Sequence, residues 1–376
     1  MANSESGTRQ DPSLLETLGQ DARHLWDDVN RTGLKRTINR TFFDLQEFYL
    51  GAHSRDRLLR MRKIRRAIFL VAWLLKSLLL KLTPARRLLL ALSFVLMWQA
   101  TSFESRGETT HISIHFPFLG IATLLLILML ELKDKLLAKE ELEAGRSVQR
   151  ALMPDSSPTV RGWDIWLFTR SANDVGGDLV DYVPLGEQRY GLALGDVAGK
   201  GLPAALLMAK LQSTLRALAA DESSLAGLGQ KMNRILCRDG LPNRFATLVY
   251  LELGERMGLV RVLNAGHPPP LVLRGRTLEE LPYGAMALGM LPDAIFSEQR
   301  VDLADGDVLI VFSDGLTEAM NGNDEFFGDE RVRALLPTLA GMAAQAIGTR
   351  VIEAVDAFVG DARPHDDLSL VVLRRS

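Results

Sequence analysis

Hydrophobic and polar positions change rhythm twice along this 376-residue chain. Residues 1–54 are polar and of mixed charge, with a partly helical pattern. Three apolar stretches follow, at residues 67–82, 88–103 ("LLLALSFVLMWQATSF") and 112–130 ("ISIHFPFLGIATLLLILML"). The last two approach the roughly 20 residues of a bilayer-spanning helix and predict a transmembrane hairpin. Lys76 and Lys81 interrupt the first, which fits an in-plane interfacial helix whose lysines snorkel. Residues 131–153 lack Pro until Pro154 and are rich in strong helix formers. Leu132, Leu136, Ala138, Leu142, Val148 and Leu152 form a loose coiled-coil-like stripe there, so a linker helix pairing into a homodimer is expected. From Trp163 onward the apolar period shortens to that of strands. "DIWLFTRS", "LVDYVP", "YGLALGD", "FATLVYLEL", "LVRVLNAG", "PLVLR", "VLIVFSDG" and "LSLVVLRR" are bounded by turn residues. Helical patterns interrupt them at residues 202–220, 225–237, 331–339 and 341–359. Strands in runs with helices grouped between and after them predict an α+β domain, sheet on sheet with helices outside.

Charge divides the chain at the same place. The net charge is only −2, yet residues 1–154 are net basic and the remainder net acidic. The run "RDRLLRMRKIRR" at residues 55–66 suits anionic membrane lipid. Arg86, Arg87, Lys133 and Lys135 flank the two apolar stretches on their outer sides, while the loop between them carries only Arg106. This asymmetry predicts a multi-pass protein of the inner (cytoplasmic) membrane, with the N-terminus and the C-terminal domain in the cytoplasm. The acidic half is a poor nucleic-acid binder, because little there would displace counterions from phosphates. The lone Cys237 excludes an internal disulfide, a cysteine-based zinc site and a CxxC redox motif. Asn243 stands where a Cys-x5-Arg phosphatase loop would need its arginine.

The acids of that half fall at strand ends. Asp178 follows two glycines and opens a strand, Asp196 closes "YGLALGD", Asp314 closes "VLIVFSD", and Asp366 and Asp367 precede "LSLVVLRR". Converging carboxylates repel one another and take up protons unless a cation sits among them. Oxygen-only ligation suits Mg2+ or Mn2+ and disfavours zinc. Flanking glycines let the backbone approach, so the Val197 carbonyl is a further candidate ligand. Asp305 and Asp307 read as residues of a surface turn.

The stretches "VGGDLVD", "GDVAGKGLPAALLMA", "RFATLVYLEL", "LNAGHPPPLVL", "LADGDVLIVFSDGLTEAMN" and "HDDLSLVVLR" stand in the order expected of PPM-type serine/threonine phosphatases. They resemble that family's SpoIIE- and RsbU-like branch, and "RSVQRALMP" resembles the helix that leads into its catalytic domain. The resemblance implies an αββα sandwich over residues 154–376, with two central antiparallel sheets, and two Mn2+ or Mg2+ ions. Asp196 would bridge the ions, with Val197 contributing its carbonyl, Asp178 on one ion and Asp314 and Asp366 on the other. Asp367 ranks behind Asp366 as a ligand. Leu179-Val180 replace the branch's usual Phe-Tyr, which bears on packing beside the site. His267 fits a structural turn, and Lys200 and Arg244 are candidate phosphate contacts. The implied reaction is hydrolysis of phosphoserine or phosphothreonine by a water activated between two metals, on a phosphorylated anti-anti-sigma (STAS-type) regulator. Residues 202–220 resemble a switch helix through which the linker would act. The alternative is a catalytically inactive membrane scaffold that binds partners through the same domain.

Overall fold

The computed structural model describes residues 76, 79–98, 116–154, 157–186, 189–239, 244–254 and 258–376. The chain divides into two compact units, Met1–Asp134 and Lys135–Ser376. In the first, helix α1 (Pro84–Trp98) lies against the start of helix α2 (Phe116–Leu152). Gly120 permits the approach, since a Cβ there would come within 2.8 Å of the Ser93 carbonyl. Arg86 binds Glu131 at 2.7 Å and Asp134 at 2.6 Å.

These helices correct the transmembrane expectation. Among the described residues, no helix is long and apolar enough to cross a membrane. Helix α1 has 15 residues, about 22 Å at the α-helical rise, against a hydrocarbon core of roughly 30 Å. In α2 the apolar run gives way to Glu131, Lys133, Asp134 and Lys135 within the same 37-residue helix. The multi-pass placement built on those spans falls with them. The basic run at residues 55–66, most of residues 67–78 and the polar loop at 104–111 lie outside the described residues.

The second unit is layered. Strands β1 (Trp163–Arg170), β2 (Leu179–Pro184), β3 (Tyr190–Val197), β4 (Ala246–Leu253) and β5 (Leu259–Ala265) are followed by β6 (Leu271–Arg274), β7 (Thr277–Glu280), β8 (Glu298–Asp302), β9 (Val308–Phe312) and β10 (Leu368–Arg375). They form two antiparallel five-stranded sheets, ordered β1-β10-β9-β6-β7 and β2-β3-β4-β5-β8. Helices α3 (Leu202–Ala219) and α4 (Leu225–Asp239) cover the second sheet. A short helix α5 (Asp314–Thr317), then α6 (Gly328–Leu335) and α7 (Ala344–Val359), flank the first.

Alternation along each strand builds three cores. In β3 and β4, Leu192, Leu194, Val249 and Leu251 point between the sheets, while Ala193, Leu248 and Tyr250 face the helices. In β9 and β10, Leu309, Val311, Val371 and Leu373 meet them in the middle, and Ile310, Leu370 and Val372 pack under α7. Strands covered on both faces need apolar residues at every position, which is why the central strands are continuous hydrophobic runs. The αββα sandwich expected from the sequence is the observed fold. Two strands escaped the sequence pattern: "TLEE" (β7) and "EQRVD" (β8) lie at sheet edges, where charge discourages further pairing.

Candidate active site

The acids meet because of strand register. Leu179 pairs with Gly195, which sets Asp178, just before β2, across from Asp196 near the end of β3. In the other sheet Leu370 pairs with Phe312, so Asp314 follows β9 beside the point where Asp366 and Asp367 lead into β10. Hydrogen bonds fix that second junction: Ser313 N donates to the Ser369 carbonyl at 3.0 Å, and Ser369 N to Ser313 Oγ at 2.9 Å. Each sheet thus carries acids on two neighbouring strands at one edge.

Their electrostatics show that the two pairs influence one another. Burial pushes the Asp178 carboxyl well above the usual carboxylate range, the Asp196 charge adds to this, and Ser369 and Ser313 offset part of it. Burial also raises Asp196, to about 6, with further contributions from Asp314 and Asp366 across the sandwich. Asp314 rises through burial and through repulsion from Glu318 and Asp366. Asp178 is 3% exposed, and its Oδ2 has no hydrogen-bond partner. A buried, partnerless carboxylate oxygen is costly, so its presence calls for a function.

Asp366 and Asp367 differ in what they can offer. Asp367 accepts from Ala172 N at 2.8 Å through one oxygen and from Gly177 N at 2.6 Å through the other, so backbone amides use both. Asp366 is about one-third exposed and its Oδ2 lies 3.0 Å from Lys200 Nζ. Lys200 also donates to the His365 carbonyl at 2.7 Å, while Arg244 Nη1 donates to the Ala198 carbonyl at 2.6 Å. Gly177 keeps the Val197 carbonyl open: a Cβ there would sit 3.1 Å from that oxygen and 3.5 Å from Asp196 Oδ1.

Asp181, in the same "GGDLVD" stretch, is elsewhere. It is fully buried under α3, where Arg216 holds it with bonds of 2.7 and 2.8 Å. Asp307 pairs with Arg274 and caps its own turn through Ala304 N. His267 ties the sheets together, Nδ1 2.9 Å from Thr247 Oγ1 on β4 and Nε2 3.0 Å from the Phe312 carbonyl on β9. Burial lowers its pKa to about 4, so the ring is neutral at pH 7. A cavity of about 420 Å³ opens beside His267 and Phe312, lined by Glu280, Tyr283, Thr317 and Arg333, and none of the five aspartates borders it.

Among the described residues, no group of three or more His, Cys, Asp or Glu side chains stands close enough to hold a metal ion as placed. The donor chemistry nonetheless fits a hard divalent cation. The donors are carboxylates and a carbonyl, one buried oxygen lacks a partner, and a cation would reverse the repulsion that raises Asp178, Asp196 and Asp314. The sequence pattern does not single out Ser313, Ser369 and Thr247, which brace the acids, nor Gln149. Their hydroxyls and amide resemble any others until the register is known.

Residues 186–376, just over half of the chain, match the family model described as Stage II sporulation protein E (SpoIIE). Phosphoserine phosphatase RsbU of Bacillus subtilis (strain 168) is 26% identical over 239 residues, covering 63% of this chain and 70% of RsbU. Protein IcfG of Synechocystis sp. is 26% identical over 264 residues, again 63% of this chain but 42% of IcfG. The SiaA-PP2C domain of Pseudomonas aeruginosa superimposes with a TM-score of 0.56 at 20% identity, covering 65% of this chain and 99% of that domain. The structural likeness establishes the PP2C-type fold, and the named phosphoserine phosphatase among the relatives supports a protein serine/threonine phosphatase.

Proposed function

The chain belongs to the SpoIIE family, and on that premise we propose that its second unit hydrolyses phosphoserine or phosphothreonine on a regulatory protein. One observation carries this reading: Asp178 keeps a buried, partnerless oxygen beside Asp196, while burial, with the acids of the opposite sheet adding to it, raises Asp196 to about 6. Such an arrangement costs stability without cations and gains it with them.

Asp178, Asp196 and the Val197 carbonyl would hold one Mn2+ or Mg2+, and Asp196, Asp314 and Asp366 the other. Divalent ions, when bound, lower the pKa of a water and neutralise charge on phosphoryl oxygens. The chain's own residues set the stage. Gly177 leaves the Val197 carbonyl accessible. Asp367 fixes the 172–177 loop through its two amide bonds rather than facing substrate. Neutral His267 keeps β4 and β9, and with them the two pairs of acids, in fixed relation. Lys200, about half exposed beside Asp366, has the charge and reach to exchange that partner for a substrate phosphoryl oxygen.

The substrate class that best fits the family likeness is a phosphorylated STAS-type regulator. Exposed Leu132, Leu136 and Val148, members of the expected stripe on α2, favour a homodimer through the linker. The basic run at residues 55–66 is suited to anionic lipid headgroups. The test is phosphate release from a phosphoserine-bearing STAS protein with Mn2+. Wild type should release phosphate, excess chelator should stop it, and Asp196→Asn should lower kcat/KM by on the order of 10³ or more. Undiminished release by Asp196→Asn would refute the reading.

A further inference from the structure

The last turns of α2 reach the loop that carries Asp178. Gln149 is 6% exposed and spends its whole amide on one backbone residue. Its Nε2 donates to the Gly176 carbonyl at 2.7 Å, and its Oε1 accepts from Gly176 N at 3.1 Å. A side-chain amide carries the donor and the acceptor that the carbonyl and the N–H of one residue need. From the other side the loop is held by Asp367, which accepts from Gly177 N. Gly176 has no room to spare: a Cβ there would stand 2.6 Å from Asp367 Oδ2 and from Ser171 Oγ.

The same helix end also meets the segment after Asp196. Gln212 Nε2 on α3 donates to the Leu152 carbonyl at 2.6 Å. At Gly145 an added Cβ would lie 3.7 Å from Leu202 and 3.9 Å from Val175. Residues 145–152 therefore brace both the loop that carries Asp178 and helix α3, which follows the strand that carries Asp196.

We propose that Gln149 is a positioning residue, which holds the 176–178 loop, and through it the Asp178 carboxylate, in place for a divalent cation. The inference rests on the metal-dependent phosphatase reading for its purpose, but its physical claim is about the loop. Gln149→Met keeps the volume and loses both hydrogen bonds. Gln149→Glu keeps the shape but sets a second acceptor against the Gly176 carbonyl.

In the full chain, Mn2+ affinity is measured by electron paramagnetic resonance of the free ion, and amide exchange by mass spectrometry without metal. Both variants should bind Mn2+ about 10- to 100-fold more weakly, as when partners that orient metal ligands are lost. Exchange should rise in the peptide over residues 175–178 while β4 and β10 stay protected. Wild-type affinity and exchange in Gln149→Glu would overturn the proposal. So would exchange rising evenly through both sheets, which would mean Gln149 merely supports the fold. Arg146→Ala, on the exposed face of the same helix, should change neither reading, and an equal effect there would also count against Gln149. A wild-type chain that binds Mn2+ but releases no phosphate from phosphoserine proteins would remove the function proposed above and leave the Gln149 result standing.

Discussion

Asp178 and Asp181 sit three positions apart in one glycine-led stretch, and a strand sends such positions to opposite faces. Asp181 shares the helix-facing side with Leu179, where the Arg216 guanidinium compensates its charge. Asp178 has no such partner for its Oδ2. Burial and the Asp196 charge raise its pKa, so ionising it in the native state without metal is disfavoured. The linkage sign is therefore that stability is present at low pH and lost as pH rises through the raised pKa. Asp178→Asn cannot ionise. In chelator at pH 8 it should be more stable than wild type by on the order of 1 kcal/mol and melt higher, the usual direction when a strained functional group is relieved. The same variant should lose Mn2+ binding. A melting temperature lower than wild type's in chelator would contradict the assignment of Asp178 as a destabilising, ligand-seeking acid.

Between α3 and β2 the Arg216–Asp181 pair is a structural tie rather than part of the chemistry. Asp181 is fully buried and Arg216 partly exposed, so removing the arginine strands a charge in the interior. Arg216→Ala should cost about 3 kcal/mol in urea denaturation. The double variant Arg216→Met with Asp181→Leu should recover most of it, because a buried pair can be replaced by apolar groups of similar size. Most elements of the second unit are legible in the sequence. Continuous apolar runs mark the strands covered on both faces, and glycine and proline mark their ends. Charged β7 and β8 are not legible, since an edge strand has only one neighbour to satisfy and its composition follows solvent. Helix formers over residues 131–153 predict the linker helix, but not its continuity with the apolar segment before it, as one helix from Phe116 to Leu152. The same continuity undoes the expected membrane hairpin. Among the described residues no helix is long and apolar enough to cross a membrane, and charge begins inside α2 itself.

Across the whole molecule, the acids are legible singly because each stands at a turn, whereas their convergence depends on two sheets packing face to face. His267 spans that packing from Thr247 to Phe312. Its pKa of about 4 lies below the usual 6.5 because burial disfavours the charged ring. The unfolded chain thus takes up a proton near pH 6.5 and the folded chain only near 4. Stability is fully present above 6.5 and declines as pH falls between those values, by about 2 kcal/mol at pH 5. Asp178 and Asp196, whose pKa values are raised, act in the opposite sense over this range, in wild type and in His267→Gln alike. The His267 share is therefore read as the difference in pH slope of the denaturation midpoint between wild type and His267→Gln, from which this loss should be missing. An unchanged pH slope in His267→Gln would place the acid sensitivity elsewhere. The division of the acids between two slabs has a mechanical corollary. Their mutual distance is governed by how the slabs are seated, so a swollen or slipped interior loosens the grip on cations before any strand unravels. Such a catalyst would fail by going out of alignment while still looking folded.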